Sequence, residues 1–356
     1  MTIHDSNSDI MSEVPGNILE EILIRLPIQD AVRTSLLSRK WRYAWVKLPQ
    51  LDFELCIWKG EIYKLPSSLY SCLQLKHLNL RSCMFKPPPG FGGFTRLLSL
   101  CLCEVVIADD VLSSLISSCP LLEKLILEIS TSLDSLEVVG PNIKSVDCYG
   151  HFRSICFTNT SRLEDVGLYS EGIRNDVLLS EGEISSSAVL LDSVPAIESL
   201  GLDYSYVKGI AASAVPTRLP TTLNNLKCIL LIDFCFGERD EVSVLICLIR
   251  SSPNLKEIHI RVFPSDPAAI CIGQDFLEMY GWSDVSLNQL RKVDIESVYG
   301  TKPEQDFIKF LLAKSPMLET MLIRLNVANV DDKLRVVREL TRFRRASPQA
   351  EMEFEC

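Results

Sequence analysis

The sequence lacks any paired-cysteine motif. Its 13 cysteines include no CxxC, with Cys101 and Cys103 the closest pair, and its four histidines (His4, His77, His151 and His259) lie far apart. The ligand spacing of a structural zinc site is therefore missing, and neither a metal nor a cofactor is expected. HExxH, GxSxG, GxGxxG and GK[ST] are also absent, which removes the local signs of zinc hydrolases, serine hydrolases and phosphate-binding loops. No 18-residue apolar run occurs, so no membrane-crossing helix is expected. The opening MTIHDSNSDIMSEV has neither a basic run nor an apolar centre. It does not read as a secretory signal, and an intracellular protein of the nucleus, the cytoplasm or both is the expectation. Positive charge is in short supply as well: 36 Lys and Arg against 46 Asp and Glu give a net charge of −10. That argues against a dedicated nucleic-acid binder.

Apolar material is plentiful. The 356 residues are 47% hydrophobic, enough for a large core and for more than one domain. In a reducing compartment the cysteines read as small buried hydrophobes. From about residue 65 a phrase with apolar residues at positions 1, 4 and 6 recurs. It reads LKHLNL (75–80), LLSLCL (97–102), LEKLIL (122–127), IKSVDC (143–148) and LEDVGL (163–168). It continues as IESLGL (197–202), LKCILL (226–231), LKEIHI (255–260), LRKVDI (290–295) and LETMLI (318–323). The ten starts are 20 to 35 residues apart, and a half-length copy, LDSLEV (133–138), lies between two of them. One such unit cannot bury its own apolar edge. A stack of short parallel strands with return segments behind them can.

The amphipathic segments DDVLSSLISSC (109–119), DEVSVLICLIRSS (240–252) and EQDFIKFLLAKS (304–315) each run into a proline. Proline cannot continue a helix, so each reads as a return helix that stops and hands over to the next strand. KPPPGFGGFT (86–95) reads as a turn between repeats, and 171–187 as a polar surface loop. In the tail, Val336, Leu340 and Phe343 form an apolar stripe, which predicts a docked helix with a solvated basic face.

Residues 10–49 read as helical. Ile18, Leu19, Ile22, Leu23 and Leu26 recur at helical spacing before Pro27 interrupts. A second helix from about Gln29-Asp30 would carry Ala31, Val32 and Leu36; a third would carry Leu37, Trp41 and Trp45 on one face. About 40 residues have too little interior to hide two tryptophans, so the rest of the chain or a partner must cover some of them. Arg39, Lys40 and Arg42 fall off that face and read as a rim meeting an acidic protein.

Four phrases in this segment, Val14-Pro15, ILEEILIRLP (18–27), DAVRTSLLSRKWRYAW (30–45) and LPQLDF (48–53), together resemble an F-box. The resemblance implies a three-helix unit that docks onto a Skp1-type adaptor and through it a cullin. On that basis Val14, Pro15, Ile18, Ile22, Leu26, Pro27, Leu36, Leu37, Trp41 and Trp45 either contact the adaptor or pack the unit itself. The remainder is similar to the plant F-box/FBD/LRR-repeat proteins. The similarity rests on LPSSLYSCLQLKHLNLRSCMFKPPPGFGGF (65–94), DDVLSSLISSCPLLEKL (109–125) and SLDSLEVVGPNIKSVDCYG (132–150). FIKFLLAKSPMLETMLI (307–323) and RASPQAEMEF (345–354) resemble the FBD element.

The resemblance implies an α/β protein in four parts: a three-helix F-box (10–53), a shortened linker (54–64), an irregular leucine-rich-repeat solenoid (65–289) and an FBD region (290–356). Family members usually carry a longer stretch ahead of the LPSSL phrase, so the first solenoid turns are expected to be partly missing. The implied function is substrate recognition for a Skp1–cullin–F-box ubiquitin ligase, with no catalytic residues in this chain. Target contacts are expected on the concave side, near Asn79, Arg81, Glu104, Tyr149 and Tyr204. A non-ligase interaction solenoid or a small-molecule receptor is the alternative reading.

Overall fold

The structure is a computed structural model. It describes residues 13–26, 30–31, 34, 37–38, 40–41, 44–54, 63–129, 133–150, 152–170, 194, 196–212, 215–264 and 285–355.

The chain enters through helix α1 (Gly16–Ile24) and a 3-10 turn, Ala44–Lys47. It then lays down a single large sheet. The first strands are β1 (Gln50–Glu54), β2 (Tyr63–Lys64), β3 (His77–Arg81), β4 (Cys83–Met84), β5 (Ser99–Cys103), β6 (Lys124–Glu128), β7 (Leu133–Val139) and β8 (Ser145–Tyr149). They are followed by β9 (Phe152–Thr158), β10 (Asp165–Tyr169), β11 (Ser199–Asp203), β12 (Cys228–Phe234), β13 (Glu257–Val262), β14 (Lys292–Val298), β15 (Thr320–Leu325) and β16 (Glu351–Glu355). Twelve of them form one sheet in the order β1-β3-β5-β6-β8-β10-β11-β12-β13-β14-β15-β16, and the pairs β2/β4 and β7/β9 form two small ladders. Neighbours in the large sheet are parallel throughout, so each step requires a crossover behind the sheet. Among the described residues, helices occupy five stretches between or beside these strands: α2 (Asp109–Ser117), α3 (Tyr204–Ala211), α4 (Arg239–Ser251), α5 (Lys302–Lys314) and α6 (Val330–Thr341).

All ten repeated phrases are strands of the large sheet. Residues alternate between its faces. Leu78, Leu100, Leu125, Val146 and Val166 form one register row, and Leu80, Leu102, Leu127, Cys148 and Leu168 form the next; all ten side chains are buried. Cysteine does what its burial allows. Cys72, Cys83, Cys103, Cys119, Cys148, Cys235 and Cys247 are buried and outside any disulfide, and burial pushes the Cys83 and Cys119 thiols up to about 11.

Several segments differ from the sequence reading. The third helix expected around Leu37, Trp41 and Trp45 is, among the described residues, a turn followed by the 3-10 turn Ala44–Lys47. Strand β1 contains residues 50–53, which the sequence reading placed in the F-box; it pairs directly with β3 through Leu51↔Leu78 and Phe53↔Leu80. LDSLEV is strand β7 of a separate ladder, against which α2 packs, rather than a member of the main sheet. Residues 290–356 continue the same sheet as β14, β15 and β16, so no break in architecture marks their start. The tail helix lies where expected: Val336 and Leu340 of α6 are buried and Phe343 packs against the core. Residues 171–187 lie outside the described residues.

Two return helices carry a buried glutamate at their third residue. Glu241 in α4 and Glu304 in α5, each twelve residues ahead of the proline that follows its helix, are buried. Each carboxylate reaches back to the incoming loop. Glu241 accepts from the Cys235 backbone N–H at 2.8 Å; Glu304 accepts from Thr301 N at 2.8 Å and Tyr299 N at 3.1 Å. Glu304 thereby completes a capping box with Thr301, and both carboxylates satisfy backbone donors of the loop that leads into the helix. Burial nonetheless pushes the Glu304 carboxyl from 4.5 up to about 7, against the pull of those N–H groups. The folded chain thus holds this proton more tightly than the unfolded chain. Stability from this group should fall as pH rises from the unfolded value through about 7, by on the order of 3 kcal/mol. Urea unfolding at a mildly acidic and a mildly alkaline pH should show that loss, and Glu304→Gln should remove most of it.

Candidate functional site

Two surfaces carry the residues singled out by sequence. The first is α1. Leucines 19 and 23 lie one turn apart, as do isoleucines 18 and 22, so the helix has two adjacent apolar stripes. The fold uses only one of them internally. Leu19 and Leu23 are buried, whereas Ile18 is 44% and Ile22 38% exposed, with Pro15 exposed at the same end. Val14 and Leu26 pack partly against the core.

Both tryptophans go inward: Trp41 and Trp45 are buried together with Leu48 and Leu51. The turn bearing Trp45 touches α1 on one side and the 3-10 turn Ser67–Ser71 of the first repeat on the other. The helical unit is thereby braced directly on the sheet. Leu37 remains 48% exposed. Lys40, expected on a charged rim, instead donates from Nζ to the Val14 carbonyl at 2.5 Å, fastening the turn to the start of α1. Pro27, Leu36, Arg39 and Arg42 lie outside the described residues.

The second surface is the open face of the sheet. Asn79 sits mid-strand in β3, half-buried, with Arg81 exposed at the strand end. Glu104 follows β5 in a left-handed turn (φ 52°), and its carboxylate accepts from Ser82 Oγ at 2.5 Å. Tyr149 is exposed and stacks on Tyr169 with ring centres 4.9 Å apart. Tyr169 was not foreseen. Its ring lies across Gly167 and Gly201, which are register partners on β10 and β11, and a Cβ at either glycine would collide with it. Two glycines side by side thus form a shelf for one aromatic ring. Burial first, then the Asp147 carboxylate, pushes the Tyr169 hydroxyl well up. Tyr204 was expected on this face but is buried. Asp203 ends β11 and caps α3 by accepting from Ser205 N at 3.1 Å and Tyr206 N at 3.2 Å, so Tyr204 already belongs to a helix.

Further along, Arg324 on β15 binds Asp294 at 2.8 Å, Glu296 at 2.5 Å and Glu355 at 2.8 Å, tying β14, β15 and β16 together across the open face. Cys228, Glu257 and His259 also meet there; their spacing along the chain gave no sign of it. A notch of about 200 Å³ between the KPPPGFGGF loop and α2, lined by Phe85, Pro88, Phe91 and Ser114, is smaller than a usual small-molecule site.

A small helical unit braced on a parallel sheet of returning repeats defines the class, a repeat solenoid with a helical N-terminal appendage. Sequence comparison supplies the family. Residues 11–51 match the F-box domain model, and residues 43–260 match the model for the LRR repeats of FBD-associated F-box protein At5g56370. F-box/FBD/LRR-repeat protein At1g13570 of Arabidopsis thaliana is 34% identical over 97% of this chain and 98% of its own length. Probable FBD-associated F-box protein At1g32375, from the same plant, is 20% identical over 98% of this chain and 100% of its own length. The chain belongs to the F-box/FBD/LRR-repeat family. The first comparison runs over 411 positions against 356 residues here, so at least 55 positions of it face no residue of this chain.

The split of α1 can be measured by urea unfolding. Leu23→Ala should cost about 2–5 kcal/mol, whereas Ile18→Ala and Ile22→Ala should each stay within about 0.5 kcal/mol of the parent.

Proposed function

We propose that this chain is the substrate-recognition subunit of a Skp1–cullin–F-box ubiquitin ligase. Residues 10–53 act as the F-box, 65–289 as the recognising repeats and 290–356 as the FBD region, in the nucleus, the cytoplasm or both. The observation that carries this reading is the exposed stripe of Pro15, Ile18 and Ile22 within the F-box match. A monomer gains nothing by presenting two isoleucines one turn apart to water beside a proline, whereas a partner helix or groove would bury them. Leu37 is a further exposed apolar side chain of the same match.

Under this reading the chemistry of ubiquitin transfer lies in other subunits, and this chain contributes position alone. The target docks on the open face of the sheet, where Asn79, Arg81, Glu104, Tyr149 and the shelved Tyr169 stand. The tryptophans are structural: they hold the F-box to the repeats rather than touching the adaptor.

Pull-down with a Skp1-type adaptor tests this. Ile18→Asp combined with Ile22→Asp should weaken capture at least tenfold while leaving the unfolding midpoint nearly unchanged. Trp45→Ala should cost about 3–5 kcal/mol of stability, losing capture only through unfolding. Undiminished capture by the double isoleucine variant, or no capture by the parent chain, contradicts the reading.

A further inference from the structure

Strand register assembles a set of ligand-type side chains that linear spacing hides. Cys228 on β12 and Glu257 on β13 are register partners, and His259 follows two residues along β13, on the same face. One atom from each (the cysteine Sγ, a glutamate carboxylate oxygen and a histidine ring nitrogen) lies within 4.8 Å of the other two. Glu257 Oε2 and His259 Nε2 are 3.2 Å apart. Two ligands held at about 2.0–2.1 Å in a tetrahedral site stand roughly 3.3 Å apart, so this edge is already formed and only the thiol has to close.

The surroundings also suit a bound cation. The other ring nitrogen, His259 Nδ1, faces Asp294 Oδ2 at 4.0 Å, and Asp294 is the register partner of His259 on β14. Asp294 is itself held by Arg324 at 2.8 Å. Asp294 thus stands behind the ring as a negative charge, at a separation longer than a hydrogen bond. All three ligand residues stand on central strands of the sheet, whose backbones are locked by neighbours on both sides.

We propose that Cys228, Glu257 and His259 form a binding site for a divalent transition-metal ion of the zinc type. Thiolate with imidazole selects that class over magnesium or calcium, and three protein ligands leave a fourth position facing solvent. On ligation the Cys228 thiol gives its proton to solvent and the ring nitrogen binds through its lone pair. The site is independent of the adaptor surface on α1, so either can fail without the other.

The test uses the reduced full chain, freed of metal by a chelator and titrated with Co²⁺. One equivalent should bind with a near-ultraviolet thiolate-to-cobalt band. Cys228→Ser should abolish the band, Glu257→Gln and His259→Gln should each weaken binding at least tenfold, and Asp294→Asn should weaken it about ten- to a hundredfold. Circular dichroism of each variant separates ligand loss from misfolding, and the glutamate and histidine variants decide the matter should the cysteine variant misfold. No stoichiometric binding overturns the proposal. So does a band that survives Cys228→Ser, since the other twelve of the 13 cysteines would then supply the thiolate.

Discussion

The structure depends on one relay of backbone hydrogen bonds at the strand entries. The amide of Lys76 donates to Pro49 O at 2.7 Å, Leu98 to Lys76 O at 2.7 Å and Glu123 to Leu98 O at 2.8 Å. The same step passes on through Lys144, Glu164, Glu198, Lys227, Lys256, Arg291 and Glu319 to Glu351. Each link fixes where the next strand begins. Because side chains alternate with a period of two, fixing the start fixes which residues enter the core. A slip by one residue anywhere would turn a leucine row out to solvent. Some entry residues also pair through their side chains, as in Lys144–Glu123 at 2.9 Å and Arg291–Glu319 at 2.6 Å, but these pairs are about half exposed and contribute little.

The relay begins at Pro49, immediately after the turn bearing Trp45 and Leu48, so the helical unit and the repeats share one ladder from its first link. With the tryptophans spent on this joint, α1 can direct its second apolar stripe outward. The direct pairing of β1 with β3 joins the first strand to the repeats without a break: it meets the next leucine row, Leu51 against Leu78.

Much of this was legible in the sequence where burial is two-sided. The ten repeated phrases place apolar residues at alternate positions with neighbours on both sides, and all ten are strands. The end strands were missed. EMEFE alternates with glutamate, and Met352 and Phe354 are only partly buried on what is, among the described residues, the last strand of the sheet. In α1 the pattern names four aliphatic residues without saying which pair faces in; the position of Trp45 beside the helix decides that. Tyr204 follows the strand phrase IESLGL, but Asp203 already caps helix α3, and the side chain of Tyr204 is buried. Cys228 and Glu257 are 29 residues apart along the chain and opposite each other in the sheet, a relation that only register supplies.

The central claim is that one ladder holds the F-box rigidly while leaving the isoleucine stripe of α1 free for an adaptor. Amide hydrogen exchange of the full chain, alone and with a Skp1-type adaptor, tests it most directly. The relay amides of Leu98, Lys144 and Lys256 should be strongly protected in both states, and new protection should appear over Gly16–Ile24. New protection along the strands with α1 unchanged would contradict it.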